Sequence, residues 1–340
     1  MYRWLRRGLF LLPPELAHDV ALNTLAKGHL IGLPRLLGAC QATAPVECMG
    51  LKFANPVGLA AGLDKNGDHI DALGDLGFGF IEVGTVTPKP QAGNPKPRMF
   101  RLPEHEALIN RLGFNNKGVD HLVERLKNRR FQGIVGANIG KQKDTPVESA
   151  ADDYRACLEK VYPHCDYITI NISSPNTANL RALQGTGPLR ELLTELTGLR
   201  TELAREHDLQ RPLLIKIAPD WEESALRASL AVIGESAIDG LIATNTTLDR
   251  GPVAGHLHAP EAGGLSGAPM REHADHTLTV AREVLGADFP IIGLGGISCG
   301  EDAAGKRALG ANLVQIYTGF IYHGPALLRD CIQAWSNADE

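Results

Sequence analysis

The sequence predicts an α/β protein, a (β/α)8 barrel preceded by an N-terminal helical arm, on three observations. From residue 46 onward, strand-like apolar runs alternate with amphipathic helical patterns, the alternation a parallel barrel requires. Eight runs can be placed, at 56–61, 80–83, 134–139, 167–172, 213–217, 240–243, 291–294 and 313–317. Nearly every run stops in a polar side chain or a glycine, which barrel closure does not demand but a functional C-terminal rim does. A doubly wound open sheet would use the same alternation, yet the chain shows no break into two halves.

The arm comes first. MYRWLRRGLFLL sets Arg3, Arg6 and Arg7 among Trp4, Leu5, Leu9, Phe10, Leu11 and Leu12, and Pro13-Pro14 ends the run. The apolar stretch is too short to span a bilayer, and the prolines interrupt any signal-peptide core. Leu16, Val20, Leu22 and Leu25 predict an amphipathic helix over 15–29, and Leu30, Ile31, Leu33, Leu36 and Leu37 a third segment. Short basic helices bearing aromatics suit an anchor lying in the membrane interface. They suit equally a helical arm packed on its own domain. On this reading the arm spans residues 1–40 and the barrel 41–340.

Within the barrel region, Val46 to Phe53, broken by Gly50, reads as a short β-hairpin. Val119, Leu122, Val123 and Leu126 follow helical spacing, as do Leu189, Leu192, Leu193, Leu196 and Leu203. Thr145-Pro146-Val147-Glu148 has the form of a capping box with proline at the first helical position, and Asp220-Trp221-Glu222-Glu223 starts the next helix similarly. Two connections exceed what a barrel needs. Residues 85–115 are proline-rich and end in Asn110-Arg111-Leu112-Gly113-Phe114-Asn115; residues 246–270 contain Gly263-Gly264-Leu265-Ser266-Gly267. Long loops in a compact barrel are usually lids or binding loops.

Composition narrows the chemistry. A net charge of -5 without long basic runs gives no electrostatic reason to expect nucleic acid. The six cysteines form no CxxC pair, so they read as reduced thiols. His256-x-His258 and His273-x-x-His276 lack nearby cysteines and read as loop and surface histidines rather than a metal site.

The most informative stretch is Asn171-Ile172-Ser173-Ser174-Pro175-Asn176-Thr177, at the end of the DYITI strand. Pro175 forces the chain out of the sheet there. The strand end is thus crowded with uncharged hydroxyls and amides, able to hydrogen-bond a planar amide-rich ligand, although SSPNT is also ordinary turn chemistry. GLGGIS (293–298) and IYTGF (316–320) match a barrel phosphate site, where small residues let backbone N–H groups approach a phosphate. One phosphate suits a mononucleotide such as FMN or a phosphorylated substrate. Lys216, alone in LLIKIA, would be costly to bury unpaired. Beside an isoalloxazine it would stabilise charge on reduction; snorkelling to the barrel rim is the plain alternative.

These motifs carry a resemblance. NISSPNT, GLAAGLDKNG, EVGTVTPKPQ, INRLGFNN, NIGKQKDTP, LIKIAPD, IATNTT, GGLSG, GLGGIS and LVQIYTGF, in this order save that NISSPNT falls after NIGKQKDTP, resemble the class 2 dihydroorotate dehydrogenase family. Pro14-Glu15-Leu16-Ala17-His18 in the arm matches as well. The resemblance implies a flavin-dependent barrel that oxidises dihydroorotate to orotate in pyrimidine synthesis and passes electrons to a membrane quinone. It implies a peripheral location on the cytoplasmic face of the inner membrane of a bacterial-type cell, with the arm on the membrane surface.

Carried over by position, the resemblance makes Ser174 the base that takes the C5 proton of dihydroorotate, with Thr177 and Phe114 supplying the proton's exit. It implies orotate contacts at Lys65, Asn110, Asn171, Asn176, Asn245 and Thr246, with the turn Arg111, Leu112, Gly113 and Phe114 closing over the ring. It implies FMN contacts at Ala61, Gly62, Leu63, Asp64, Lys65, Thr85, Asn138, Asn171, Lys216, Thr244, Gly267, Gly296, Tyr317 and Thr318. His18, Arg101 and Tyr317 fall where the family lines its quinone tunnel. Soluble class 1 enzymes carry cysteine in place of Ser174 and lack the arm. The loop 250–262 (RGPVAGHLHAPEA) matches the family least well.

Three other readings stand beside this one. A dihydrouridine-synthase type of barrel would bind FMN but should show a basic RNA face. A phosphate-binding isomerase or aldolase would use the same strand ends and be colourless. A non-enzymatic membrane-docking barrel would leave the polar strand ends unexplained.

Overall fold

A computed structural model describes residues 2–29, 31, 32, 34, 37, 39, 40 and 42–337. Its centre is a closed parallel barrel of β3 (Val57–Leu59), β4 (Phe80–Val86), β7 (Ile134–Ile139), β8 (Tyr167–Asn171), β9 (Leu213–Ile217), β10 (Gly240–Ala243), β12 (Ile291–Leu294) and β13 (Leu313–Ile316). β13 pairs back onto β3 through Val314–Val57 and Ile316–Leu59, which closes the ring. The strands are buried on both faces, so their sequences are continuous apolar runs rather than alternating ones.

Amphipathic helices form the outer layer. α3 (Ile70–Gly74) is followed by α4 (Val119–Asn128), α5 (Ala150–Val161), α6 (Thr186–His207), α7 (Glu223–Glu235), α8 (Arg271–Leu285), α9 (Gly300–Ala308), α10 (Thr318–His323) and α11 (Pro325–Asn337). α4 buries Val119, Leu122, Val123 and Leu126, and α6 buries Leu189, Leu192, Leu193, Leu196 and Leu203, the positions the helical spacing predicts. Each such leucine removed from water contributes about 1.5–3 kcal/mol. Neither predicted helix cap forms. Val147–Ser149 is a 3-10 turn, and α5 and α7 both begin without a side-chain cap bond. Asp220 instead accepts hydrogen bonds from Arg181 (2.7 Å), the Thr247 hydroxyl and the Leu248 amide, so it ties two strand-end loops together.

The predicted hairpin is β1 (Val46–Cys48) with β2 (Leu51–Phe53). Met49 and Gly50 both adopt positive φ, the two-residue turn whose twist suits such a hairpin. Phe53 packs edge-on against Phe80 at 5.2 Å and plugs the N-terminal end of the barrel. At the other end, three strands lie within the two long connections. β5 (Met99–Leu102), β6 (Ala107–Asn110) and β11 (Gly264–Gly267) form a three-stranded antiparallel sheet. Both long connections thus fold into one lid over the strand ends.

The arm contributes α1 (Tyr2–Leu9) and α2 (Pro14–His29). α2 buries Ala17, Leu22 and Leu25, but Leu16 and Val20, expected on the same apolar face, are exposed. The helix therefore carries apolar residues on two sides. Leu30, Leu33 and Leu36 of the predicted third segment lie outside the described residues; Ile31 and Leu37 lie in turns.

Candidate active site

The C-terminal ends of the barrel strands open, under the lid sheet, into a cavity of about 960 Å³. Ala61, Gly62 and Lys65 line it after β3, Thr85 from β4, Asn171 and Ser174 at β8, and Lys216 from β9. Thr244, Asn245 and Thr246 follow β10, Gly295 and Gly296 follow β12, and Tyr317 and Thr318 follow β13. The lid adds Asn110, Leu112, Gly113, Phe114 and Gly267.

A buried polar chain underlies this cavity. Glu82 is fully buried inside the barrel, and its carboxylate accepts hydrogen bonds from Asn138 (2.7 Å), Gln315 (2.8 Å) and Tyr167 (3.0 Å). The Asn138 side-chain oxygen accepts from Thr85 and from Asn171 (3.1 Å). Asn171 in turn accepts from the Ser173 hydroxyl (3.0 Å), and Asn245 donates to Ser173 (2.9 Å). Side chains from β4, β7, β8 and β13, and from the loops after β8 and β10, are locked into one orientation, because a buried donor left unpaired costs about 1–3 kcal/mol. Lys216 is 4 % exposed; burial pushes its pKa down, and the Glu82 charge pulls the other way. Its amine has no salt-bridge partner among the described residues, and it lines the cavity.

Ser174 is buried at the cavity wall, and its hydroxyl accepts from the Asn176 amide at 3.2 Å. Asn176 donates to the Asn110 carbonyl at 3.1 Å, which joins the β8 loop to the lid. Lys65 donates to the Gly62 carbonyl (2.9 Å); burial, and then the Arg98 charge, hold its pKa down to about 8. At the opposite end Gly296 has φ +77°, and a Cβ there would lie 2.3 Å from the Arg271 Cα. Gly295 and Gly296 both line the cavity, and the close approach of Arg271 leaves no room for a side chain at 296. Thr318 donates to Ser266 at 2.8 Å, which fastens the β13 end beneath the lid.

A second, largely apolar cavity of about 700 Å³ lies between the arm and the barrel. Phe10, Ala17, His18, Leu22, Leu63, Arg101 and Tyr317 are among its walls, and Tyr317 also lines the first cavity. The Tyr2 hydroxyl donates to the Ile321 carbonyl (2.7 Å) and Arg6 to that of Tyr322 (2.8 Å). Arg101 stacks 4.6 Å from the Phe10 ring and donates to the Leu12 carbonyl, while its buried Nη1 lacks a hydrogen-bond partner among the described residues. Desolvation, Lys65 and His69 press the His18 pKa down to about 3.

A family profile described as dihydroorotate dehydrogenase matches residues 43–337. The chain belongs to the dihydroorotate dehydrogenase family. It is 56% identical over 336 residues to the dihydroorotate dehydrogenase (quinone) of Ectopseudomonas mendocina (strain ymp), covering 98% of each chain. It is 55% identical over 334 residues to the like-named protein of Azotobacter vinelandii (strain DJ / ATCC BAA-1303), covering 98% of this chain and 96% of that one. The crystal structure of DHODH from Eimeria tenella in complex with ferulenol superposes with a TM-score of 0.87 at 38% identity, covering 95% of this chain and 91% of that chain.

A dihydroorotate dehydrogenase is a flavoenzyme, and the first cavity fits a flavin on its own chemistry: a buried lysine without an ion partner among the described residues, two glycines at the wall, and neutral amides. Not every residue anticipated from the family resemblance lines that cavity. Leu63 faces the arm cavity instead. Asp64 turns back to accept the Asp68 and His69 amides (3.0 and 2.7 Å), and Asn138 lies beneath the wall in the Glu82 chain. Thr177 is buried behind the wall. Arg111 pairs with Glu261 at 2.6 Å and stacks on Phe100 at 4.7 Å, so it ties the lid to the 250–262 loop rather than lining the cavity. Sequence reasoning missed Glu82, Ser266, Met270 and Gln315; the one signal for Glu82 was a charge inside the apolar run FIEVGT.

Proposed function

We propose that the chain oxidises dihydroorotate to orotate in the cavity beneath the lid, with FMN as the flavin and a membrane quinone in the arm cavity as final acceptor. The observation that carries this reading is one cavity holding Ser174, a ring of neutral amides and an unpaired Lys216, separated by Tyr317 from an apolar cavity under the arm. When bound, FMN supplies an acceptor for the hydride leaving C6 of the substrate.

The chain's residues do the rest. Asn110, Asn171, Asn176 and Asn245, with Thr246, read the N–H and C=O edges of the pyrimidine, and Lys65 offers a positive charge to the substrate carboxylate. Ser174 takes the C5 proton, and its hydroxyl needs an onward route because serine is a weak base. Thr177, buried on the same loop, receives that proton through water, with Phe114 excluding bulk solvent. Lys216 holds a positive charge where negative charge develops. Leu112 and Gly113 close the lid turn over the ring. On the cofactor side, Ala61, Gly62, Thr85, Thr244, Gly267, Gly296 and Thr318 form the walls and the phosphate cradle.

In the arm cavity, the unpaired Arg101 Nη1 suits a quinone carbonyl, with His18 nearby and Tyr317 between the two cavities. No helix among the described residues is long and apolar enough to cross a membrane. The arm, residues 1–40, lies instead on the cytoplasmic face of the inner membrane: Trp4, Leu5, Leu11, Leu16, Val20 and Ile31 are exposed on it beside Arg3 and Arg7. The test is the visible spectrum of the purified protein before and after anaerobic dihydroorotate. A flavin band that bleaches, with one FMN released per chain on denaturation, is expected; a colourless protein or FAD would reject the reading.

A further inference from the structure

A third cavity, about 820 Å³ and mainly polar, lies between α2 and the loop that follows β3. It is lined by His18 and Asp19 from the arm, by Lys65 and His69 from the loop, and by Asn115 from the lid. His18 and Leu63 also line the apolar arm cavity, so the two spaces share a wall one side chain thick. The His69 Nδ1 and Asn115 Oδ1 atoms are buried with no hydrogen-bond partner in the protein among the described residues. The cavity's walls are mainly polar and it opens beside the exposed Asp19 and Asn23, so water fills it and reaches the His69 and Asn115 side chains that line it.

The quinone reading creates a need for such a space. Dihydroorotate loses a hydride from C6 and a proton from C5. A quinone becomes a quinol by gaining two electrons and two protons. The hydride accounts for both electrons and one proton, while the C5 proton leaves on the Ser174 side. One proton must therefore enter the arm cavity from solvent.

We propose that this polar cavity is the proton entrance for quinone reduction, with His69 and Asn115 ordering its water and His18 passing the proton across the shared wall. The inference rests on the quinone reading above. His18 gives up an N–H proton as the quinol O–H forms and is reprotonated at its other ring nitrogen from the cavity water. The other polar side chains of the arm cavity are unsuited. Arg6 and Arg101 do not release protons. Burial raises the Tyr2 and Tyr317 hydroxyls to about 12, and Tyr2 is committed to the Ile321 carbonyl. Burial also keeps His18 neutral, the form that can accept at one nitrogen and donate from the other. Among the cavity's four carboxylates, Glu15 is paired with Arg98 (2.9 Å), Asp68 with Lys117 (2.8 Å), and buried Asp64 is held by the Asp68 and His69 amides, whereas exposed Asp19 remains to gather protons at the mouth.

The test uses full-length holoenzyme, His69→Leu to remove the water-ordering ring and Asn23→Phe to plug the mouth from an exposed position on α2. Anaerobic stopped flow would follow reduction by dihydroorotate and reoxidation by a short-chain quinone separately. Reoxidation should slow at least about tenfold in both variants, with millimolar imidazole restoring it in His69→Leu and not in the plugged Asn23→Phe, while reduction is unchanged. Independently of turnover, the exchange of the His18 ring N–H with water, read by nitrogen-15 NMR, should slow in Asn23→Phe. Normal reoxidation in both folded variants, equal slowing of the two half-reactions, or unchanged His18 exchange would each overturn the proposal. Failure of the quinone reading itself would show differently, as unmodified reduced enzyme that no quinone reoxidises.

Discussion

Replacing Ser174 by alanine removes one hydroxyl from a wall whose other polar groups are held independently. The Ser174 Oγ accepts one hydrogen bond among the described residues, from the Asn176 backbone N–H at 3.2 Å. Its loss costs about 0.5–1.5 kcal/mol of stability. The amides that read the pyrimidine are anchored elsewhere: Asn171 and Asn245 meet at Ser173, and Asn176 is bonded to Asn110. Orotate affinity should therefore change little. The proton-transfer step should lose roughly two to four orders of magnitude, the usual contribution of a general base. At 1.36 kcal/mol per tenfold, that is roughly 3–5 kcal/mol of barrier, several times the structural cost. The assay is single-turnover bleaching of the flavin by dihydroorotate without oxygen, with orotate titration as the binding control. Ser174→Cys should recover part of the rate with a pH profile displaced downward, because a thiol ionises near about 8.5, far below a hydroxyl. Bleaching of Ser174→Ala at nearly the unmodified rate, with intact orotate binding, would refute the assignment of the base.

Other expectations follow from the same geometry. Burial depresses Lys65 to about 8, so free enzyme loses that charge as pH rises through this value; orotate affinity should fall there, and Lys65→Gln should bind weakly with a flat profile. Glu82→Leu strands three buried donors, on Asn138, Tyr167 and Gln315, at about 1–3 kcal/mol each. Its denaturant midpoint should collapse or the protein fail to accumulate, and an unchanged midpoint would show that the Glu82 chain contributes nothing. Removing residues 1–40 should leave flavin reduction by dihydroorotate largely intact while abolishing turnover with long-chain quinone and binding to anionic vesicles. The Glu15–Arg98 pair and the Arg101 contact with Leu12 dock the arm, so folding of the truncation must be verified by its melting curve.

Strand and helix positions in the barrel were legible because each is written locally. A parallel strand buried on both faces must be a short apolar run, and the barrel places its chemistry at the end of that run. Residues 134–139, 213–217, 240–243 and 291–294 were therefore placed at the bounds the structure gives, and the polar ends pointed to the cavity. The lid sheet was not legible. β11 pairs with β6 across more than 150 residues, as Leu265 with Ile109, and neither four-residue segment carries a pattern that stands out from its loop. The helix caps failed for a related reason: Asp220 fits a local start signal, but a tertiary partner set of Arg181, Thr247 and Leu248 claims its carboxylate.

The sequence by itself determined the barrel, the family and the cluster of hydroxyls and amides after β8, since these depend on residue type and order along the chain. Tertiary structure alone decided which of those residues share a cavity. Arg111, Asp64, Asn138 and Thr177 lie among the family's motifs, yet the first three have stronger partners elsewhere and the fourth is buried behind the wall. It also decided that Glu82 is the hub of the interior, because a carboxylate in an apolar strand is tolerable only where donors from three other strands converge on it. Convergence from separate strands is a property of barrel closure, and no local stretch of sequence encodes it.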